Sequence, residues 1–284
     1  MFSFEIIKQL QTHITSLRHQ RTTIGFIPTM GALHAGHAAL VQQAAHEGNQ
    51  TVCSIFVNPT QFNDPRDLEK YPRTPHKDIA LLAKVGCDVL FIPPVAEVYP
   101  ENEVINRAFD FGHLDTVMEG AFRPGHFQGV AQVVSRLLDI VQPDILYMGQ
   151  KDYQQTVIVK SMLQQLDSPV RLVRCPTLRE ADGLAMSSRN VRLTPDFRQK
   201  APAVYQALLQ AKTLADNGHS PSEIQQIALE KITNAGLKPE YFDLVDGETL
   251  LPIARFNDSK NIVACTAVWA GDVRLIDNIF LKGG

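Results

Sequence analysis

The chain has only four cysteines, Cys53, Cys87, Cys175 and Cys265, and they are far apart with no CxxC pair among them. That excludes a disulfide framework and predicts buried free thiols in a reducing compartment, the cytoplasm. No apolar run reaches the length of a membrane-spanning helix. Neither sign of charge dominates: 27 Lys and Arg face 30 Asp and Glu, a net charge of -3. This excludes a nucleic-acid binder that relies on a broadly basic surface, though not a local basic patch. No internal repeat and no low-complexity linker is visible. Phe4, Ile7, Leu10, Ile14 and Leu17 form a helical stripe over Met1–Gln20, without the basic start and compact apolar block of a signal peptide.

What is present is an ordinary globular mixture, 44% hydrophobic and 20% charged over 284 residues, long enough for one large domain or two smaller ones. Two rhythms alternate through the first 175 residues. Apolar runs rich in β-formers predict strands at Thr23–Pro28, Thr51–Val57, Asp88–Ile92, Asp144–Met148 and Val170–Arg174. Helical patterns lie between them at His37–His46, Asp78–Val85, Val130–Val141 and Asp152–Leu166, and Gly86 is placed to end the second. Continuous apolar strands separated by helices predict an α/β fold, a Rossmann-like doubly wound parallel sheet over residues 1–176. Ligands of such sheets sit beyond the carboxyl ends of the strands. The remainder, 177–284, reads as a second, smaller α+β domain. Thr194-Pro195 starts a helix expected to run to about Asp216, Ser220 starts another, and Asn261–Trp269 with Val273–Leu281 forms a hairpin.

Five segments offer chemistry. Between a strand and a helix lies Pro28-Thr29-Met30-Gly31-Ala32-Leu33-His34-Ala35-Gly36-His37. Its glycines allow close backbone approach, the helix start offers free N–H groups, and two histidines three apart can donate to a triphosphate. A P-loop is excluded because His37-Ala38 stands where Lys-Ser/Thr belongs, and a zinc motif lacks its Glu. Asn58-Pro59-Thr60-Gln61-Phe62-Asn63 offers neutral amides beside Phe56 and Phe62, suited to a small hydroxy acid; Asn-Pro after a strand also suits a plain turn. Arg123-Pro124-Gly125-His126-Phe127 serves equally a structural turn or an anion contact. In Gly149-Gln150-Lys151-Asp152 a lysine at a helix start opposes the macrodipole; a phosphate neighbour or a solvated first turn accounts for it. Gln155 lies one turn on from Lys151. Finally, Asp182–Asn190 (DGLAMSSRN) can wrap phosphates with Ser187, Ser188 and the forked Arg189, with Gly183 letting the loop move, or serve as a polar linker.

These segments, in this order, resemble the pantothenate synthetase (pantoate–β-alanine ligase) family of the HIGH nucleotidyl-transferase superfamily. The matching stretches are Pro28–His37, Val57–Phe62, Tyr71–Thr74, Arg123–Val130, Gly149–Gln155 and Asp182–Asn190, and the resemblance covers nearly the whole chain. It implies ATP-dependent condensation of pantoate with β-alanine through a pantoyl-adenylate, with Mg²⁺ on the ATP, and release of pyrophosphate and AMP. It implies ATP contacts from Met30, Gly31, Ala32, Leu33, His34, Ala35, Gly36, His37, Gly149, Gln150, Lys151, Asp152, Leu178, Met186, Ser187, Ser188 and Arg189. His37, His34, Lys151 and Arg189 take the catalytic roles. Gln61 and Gln155 hold pantoate, Gln61 also borders β-alanine, and Asp78 is a metal-side carboxylate. A homodimer without nucleic-acid or membrane partners, its smaller domain closing over the active site, is implied as well. One position departs from the family: Gln150 stands where Glu is usual. The rival readings are a nucleotidyltransferase for a phosphate-bearing substrate, which the neutral Gln61 and Gln155 disfavour, and a non-catalytic nucleotide- or metal-binding module, which leaves Lys151 and Met186–Arg189 unexplained.

Overall fold

The structure is a computed structural model that describes residues 1–62, 65–101 and 107–283; Asn63, the end of one motif above, lies outside them. Six strands form the parallel sheet: β1 (Phe2–Phe4), β2 (Ile24–Thr29), β3 (Gln50–Ile55), β4 (Val89–Phe91), β5 (Ile145–Gly149) and β6 (Arg171–Cys175). Their order is β1-β4-β3-β2-β5-β6, and every pairing is parallel. The helices of this part are α1 (Ile7–His19), α2 (Ala35–His46), α3 (Pro65–Lys70), α4 (Pro75–Lys84), α5 (Val95–Val98), α7 (His126–Val141) and α8 (Tyr153–Gln165), while the short α6 (Glu119–Phe122) belongs to the smaller part. Two apolar clusters follow from this layering. One packs Leu10, Ile14, Phe26, Val52, Phe91, Val134 and Ile158; the other packs Ile27, Val41, Cys53, Leu82, Leu90 and Tyr147. Because neighbouring side chains of a strand point to opposite faces, Phe26 and Ile27 belong to different clusters.

The smaller sheet is antiparallel, in the order β7 (Lys238–Asp246), β8 (Ile262–Ala270), β9 (Val273–Lys282). Its helices are α9 (Pro195–Lys200), α10 (Ala203–Asp216) and α11 (Pro221–Asn234). Val204, Leu208, Ile224 and Ala228 pack with Phe242, Leu244, Ile262 and Val268. Contacts divide the chain into two compact units. The first comprises Met1–Asp115, Arg123–Gly149 and Gln155–Pro176; the second comprises Thr116–Phe122, Gln150–Gln154 and Thr177–Gly284.

Two elements differ from the reading of the sequence. The N-terminal stripe is not helical from its start: Phe4 belongs to β1, paired with Val89–Phe91, and α1 begins only at Ile7. The Glu97 carboxylate accepts the Ile7 N–H at 2.8 Å, so a distant residue sets that helix start. The long helix expected from Thr194 is broken into α9 and α10 at Pro202, which has no N–H for the ladder and crowds the carbonyl four residues back. All four cysteines are buried, and burial pushes the thiols of Cys87 and Cys175 up to about 11. Among the described residues no helix is long and apolar enough to cross a membrane.

Candidate active site

The turn after β2 is held in an unusual shape. Gly31 and Ala32 both adopt left-handed backbone, with φ of 81° and 48°. For Ala32 this costs energy that the surroundings must offset. They do so through Asp78 of α4, whose Oδ2 accepts the Ala32 N–H at 2.9 Å and whose Oδ1 accepts the Leu33 N–H at 2.8 Å and the Thr74 hydroxyl at 2.9 Å. Asp78 is 2% exposed. The family resemblance implied a metal-side carboxylate there. In the structure both its oxygens are engaged by the turn, which accounts for a buried carboxylate through three hydrogen bonds. Among the described residues no three His, Cys, Asp or Glu side chains gather as a metal cage. Removing the carboxylate takes the acceptor from two turn N–H groups, at about 1–3 kcal/mol for each one left unsatisfied. Asp78→Ala is therefore expected to lower the thermal midpoint and raise the KM for ATP together. A variant with a normal midpoint and normal KM would show that the turn keeps its shape without Asp78.

The two histidines are neighbours, but only His37 lies within the helix. His34 is the N-cap of α2, in extended conformation, and His37 is the third residue of its first turn. Nδ1 of His34 accepts the Gly36 N–H at 3.1 Å, and Nδ1 of His37 accepts the His34 N–H at 3.3 Å. This is a capping box built from imidazoles. An Nδ1 that accepts carries no proton, so each ring holds its proton on Nε2. The ring centroids are 4.1 Å apart. Local capping thus sets two adjacent N–H donors at the positive end of α2.

Gln61 is 8% exposed in a one-turn helix after β3. Its Nε2 donates to Sδ of Met30 at 3.0 Å, joining the two sequence motifs. Asn58, fully buried, is the hub of that turn. Its Oδ1 accepts from Thr60 and, at 3.0 Å, from the Tyr99 hydroxyl, while its Nδ2 donates to the Gly129 carbonyl at 3.1 Å. Gly129 permits the contact: a Cβ there would stand 2.5 Å from the Thr60 carbonyl oxygen. His126, buried at the start of α7, donates from Nδ1 to the Gln61 carbonyl at 2.8 Å and accepts from Arg123 at 3.1 Å. The Arg123–Phe127 segment, readable from sequence as turn or anion contact, therefore seats the Gln61 turn. Gln155 lies half-buried on α8.

The second unit carries the other residues. Gln150–Asp152 form a single 3-10 turn, with the Lys151 ammonium 3.6 Å from Asp152. Leu178 and Met186 face each other across a narrow antiparallel turn, the Met186 N–H donating to the Leu178 carbonyl at 3.0 Å, and Leu178 is 41% exposed. Asn190 ties the turn's end to Glu180 and the Ala185 carbonyl, and Arg198 pairs with Glu180 and Asp182. Ser187, Ser188 and Arg189 follow Met186, partly exposed. Gly183 also has a packing reason to be glycine. Its φ is 92°, and a Cβ would meet the Tyr205 ring at 2.5 Å, so close packing requires it.

Sequence reasoning missed Asn58 as a hub, Asp78 as a turn anchor, and the pair Asp277-Asn278. These two adjacent residues of β9 are 4% and 2% exposed. Two consecutive buried polar residues within an apolar strand are the signal that could have found them.

The comparisons with known proteins cover the whole of this arrangement. A family model described as Pantoate-beta-alanine ligase matches residues 3–280. Pantothenate synthetase of Bacteroides thetaiotaomicron is 51% identical over 277 residues, 97% of each chain. The crystal structure of pantothenate synthetase from Thermus thermophilus superposes over 100% of both chains with a TM-score of 0.93 at 42% identity. That of the Francisella tularensis pantoate–β-alanine ligase, complexed with β,γ ATP and β-alanine, covers 100% of this chain and 99% of its own with a TM-score of 0.83 at 36% identity.

Proposed function

This chain belongs to the pantoate–β-alanine ligase family and joins pantoate to β-alanine using ATP, and we propose that it does so through a pantoyl-adenylate. A carboxylate is a poor acyl donor because its leaving group is oxide. In the first step the pantoate carboxylate attacks the α-phosphorus in line, forming a mixed anhydride as the bond to pyrophosphate breaks. In the second the β-alanine amine attacks the acyl carbon, AMP leaves, the nitrogen loses its proton, and pantothenate results.

The observation that carries this reading is the imidazole capping box, with Nε2–H donors of His34 and His37 fixed beside the N-terminus of α2. Donors held in place before charge develops at the α-phosphate lower the barrier without reorganising. In this reading Met30–His37, Gly149–Asp152, Leu178 and Met186–Arg189 receive ATP. Lys151 and Arg189 balance the outer phosphates, and Ser187 and Ser188 donate to them. Gln61 and Gln155 hold pantoate, and Gln61 also borders β-alanine. Neutral amides suit a hydroxy acid whose carboxylate must stay nucleophilic. Mg²⁺ carried by the triphosphate would supply further neutralisation of phosphate charge beside Lys151 and Arg189. That fits a donor set in which Asp78 is occupied with the turn.

The test is ATP–pyrophosphate exchange with pantoate alone. Exchange without β-alanine is expected; exchange that begins only when β-alanine is added would refute the two-step route. We also take the enzyme to be a cytoplasmic homodimer, as the family resemblance implies; sedimentation at monomer mass would count against it.

A further inference from the structure

Gln150, the departure from the family pattern, is engaged with a residue that sequence reasoning passed over. Asn278 of β9 donates from Nδ2 to the carbonyls of Gln150 and Lys151, both at 2.9 Å, and accepts from Gln150 Nε2 on its own Oδ1 at 3.2 Å. The two carbonyls fix which way the carboxamide faces, because only nitrogen can serve them. Oδ1 is then turned to the residue 150 side chain, and only a donor there is welcome. Glutamine supplies one; a glutamate would set a carboxylate against a carbonyl oxygen.

The bracket is itself anchored. The Asn278 N–H donates to Asp277 Oδ1 at 2.8 Å, and Asp277 receives both arms of Arg179 at 2.6 and 3.0 Å. Arg179 lies 3.6 Å above the Tyr205 ring and donates to the Gly183 carbonyl at 3.2 Å. One chain of bonds, buried at Asp277 and Asn278, thus runs from the Lys151 turn through β9 to the turn that carries Met186–Arg189. Satisfied polar networks of this kind hold one arrangement against alternatives.

We propose that Asn278 is a positioning residue, a bracket that sets the direction in which the Gln150–Asp152 turn presents Lys151, and that Gln150 is the partner this bracket requires. The proposal rests on the reading that Lys151 meets ATP.

The experiment measures KM for ATP, KM for pantoate, kcat and the thermal midpoint in Asn278→Ala, Gln150→Glu, the double variant and Lys151→Ala. Asn278→Ala is expected to raise the KM for ATP by about tenfold, the factor that corresponds to ~1.4 kcal/mol, with the KM for pantoate within about twofold of the parent. Gln150→Glu, the milder change should Asn278→Ala fold poorly, is expected to raise the KM for ATP by about fivefold to tenfold. In the Asn278→Ala background the same Gln150→Glu change should add less than about twofold, since the clashing oxygen is gone. The proposal is overturned if Gln150→Glu costs as much in that background as in the parent. It is equally overturned if Asn278→Ala lowers the midpoint and shifts both KM values alike, the mark of a merely structural residue. A harmless Lys151→Ala would refute the placement of Lys151 at ATP and the bracket with it. A damaging Lys151→Ala with a harmless Asn278→Ala would refute the bracket alone.

Discussion

Replacing His37 with alanine is expected to slow adenylation by about 10² or more, and replacing His34 to do the same, on the scale of losing one preorganised donor to transition-state charge. The geometry adds a distinction between them. His34 is the N-cap and accepts the Gly36 N–H, so His34→Ala also removes a cap. His37 accepts the His34 N–H, the weaker half of the box at 3.3 Å. Loss of a cap costs roughly 0.5–2 kcal/mol of stability. His34→Ala should therefore lower the thermal midpoint more than His37→Ala, while both lower the single-turnover rate of adenylation at saturating ATP and pantoate. A near-normal rate in either variant would assign that histidine to capping alone.

Arg274→Ala is expected to destabilise the smaller unit by about 3–5 kcal/mol, the range for breaking a buried ion pair by removing one partner. Arg274 donates to both oxygens of Glu119, at 2.6 and 2.8 Å, and from Nε to Glu240 at 2.8 Å. The three side chains are only 10–15% exposed. Burial works to lower the arginine's pKa, but Glu119 and Glu240 together hold it above the ordinary value. Tyr241 also donates to Glu119, and Trp269 to Glu240. Without the guanidinium both carboxylates, each 10–15% exposed, lose the charged hydrogen bonds that Arg274 gives them. Denaturant unfolding followed by Trp269 fluorescence reads the loss, since that indole donates to Glu240. An unfolding free energy within about 1 kcal/mol of the parent would mean that water enters and solvates both carboxylates.

The alternation of strands and helices was legible because each element carries its own period. The buried strands Ile24–Thr29 and Gln50–Ile55 lie in the apolar runs read from the sequence, and Ser220 announces the start of α11, where the structure adds Glu223 to make a capping box. β1 was not legible, because three residues hold no period and Phe2–Phe4 becomes a strand only by pairing with Val89–Phe91. The glycine-bearing turn of Met30–His37 was legible for a similar reason. A glycine-bearing turn between a strand and a helix start has a local physical meaning before anything packs on it. The supports of this turn and of Lys151 were not. Asp78 reaches back 46 residues to Ala32, and Asn278 reaches 127 residues to Lys151.

By itself, then, the sequence determined the α/β class, the antiparallel hairpin near the C-terminus, and the residue types available to phosphates, amides and carboxylates. Composition, periodicity and turn chemistry act over a few residues, and those properties need no more. Only the tertiary structure decided how the residues are presented: that Asp78 braces a left-handed turn 46 residues before it, and that Gln150 answers Asn278. A hydrogen bond's direction and a side chain's burial depend on which distant backbone lies opposite, and no local pattern of residues encodes that neighbour.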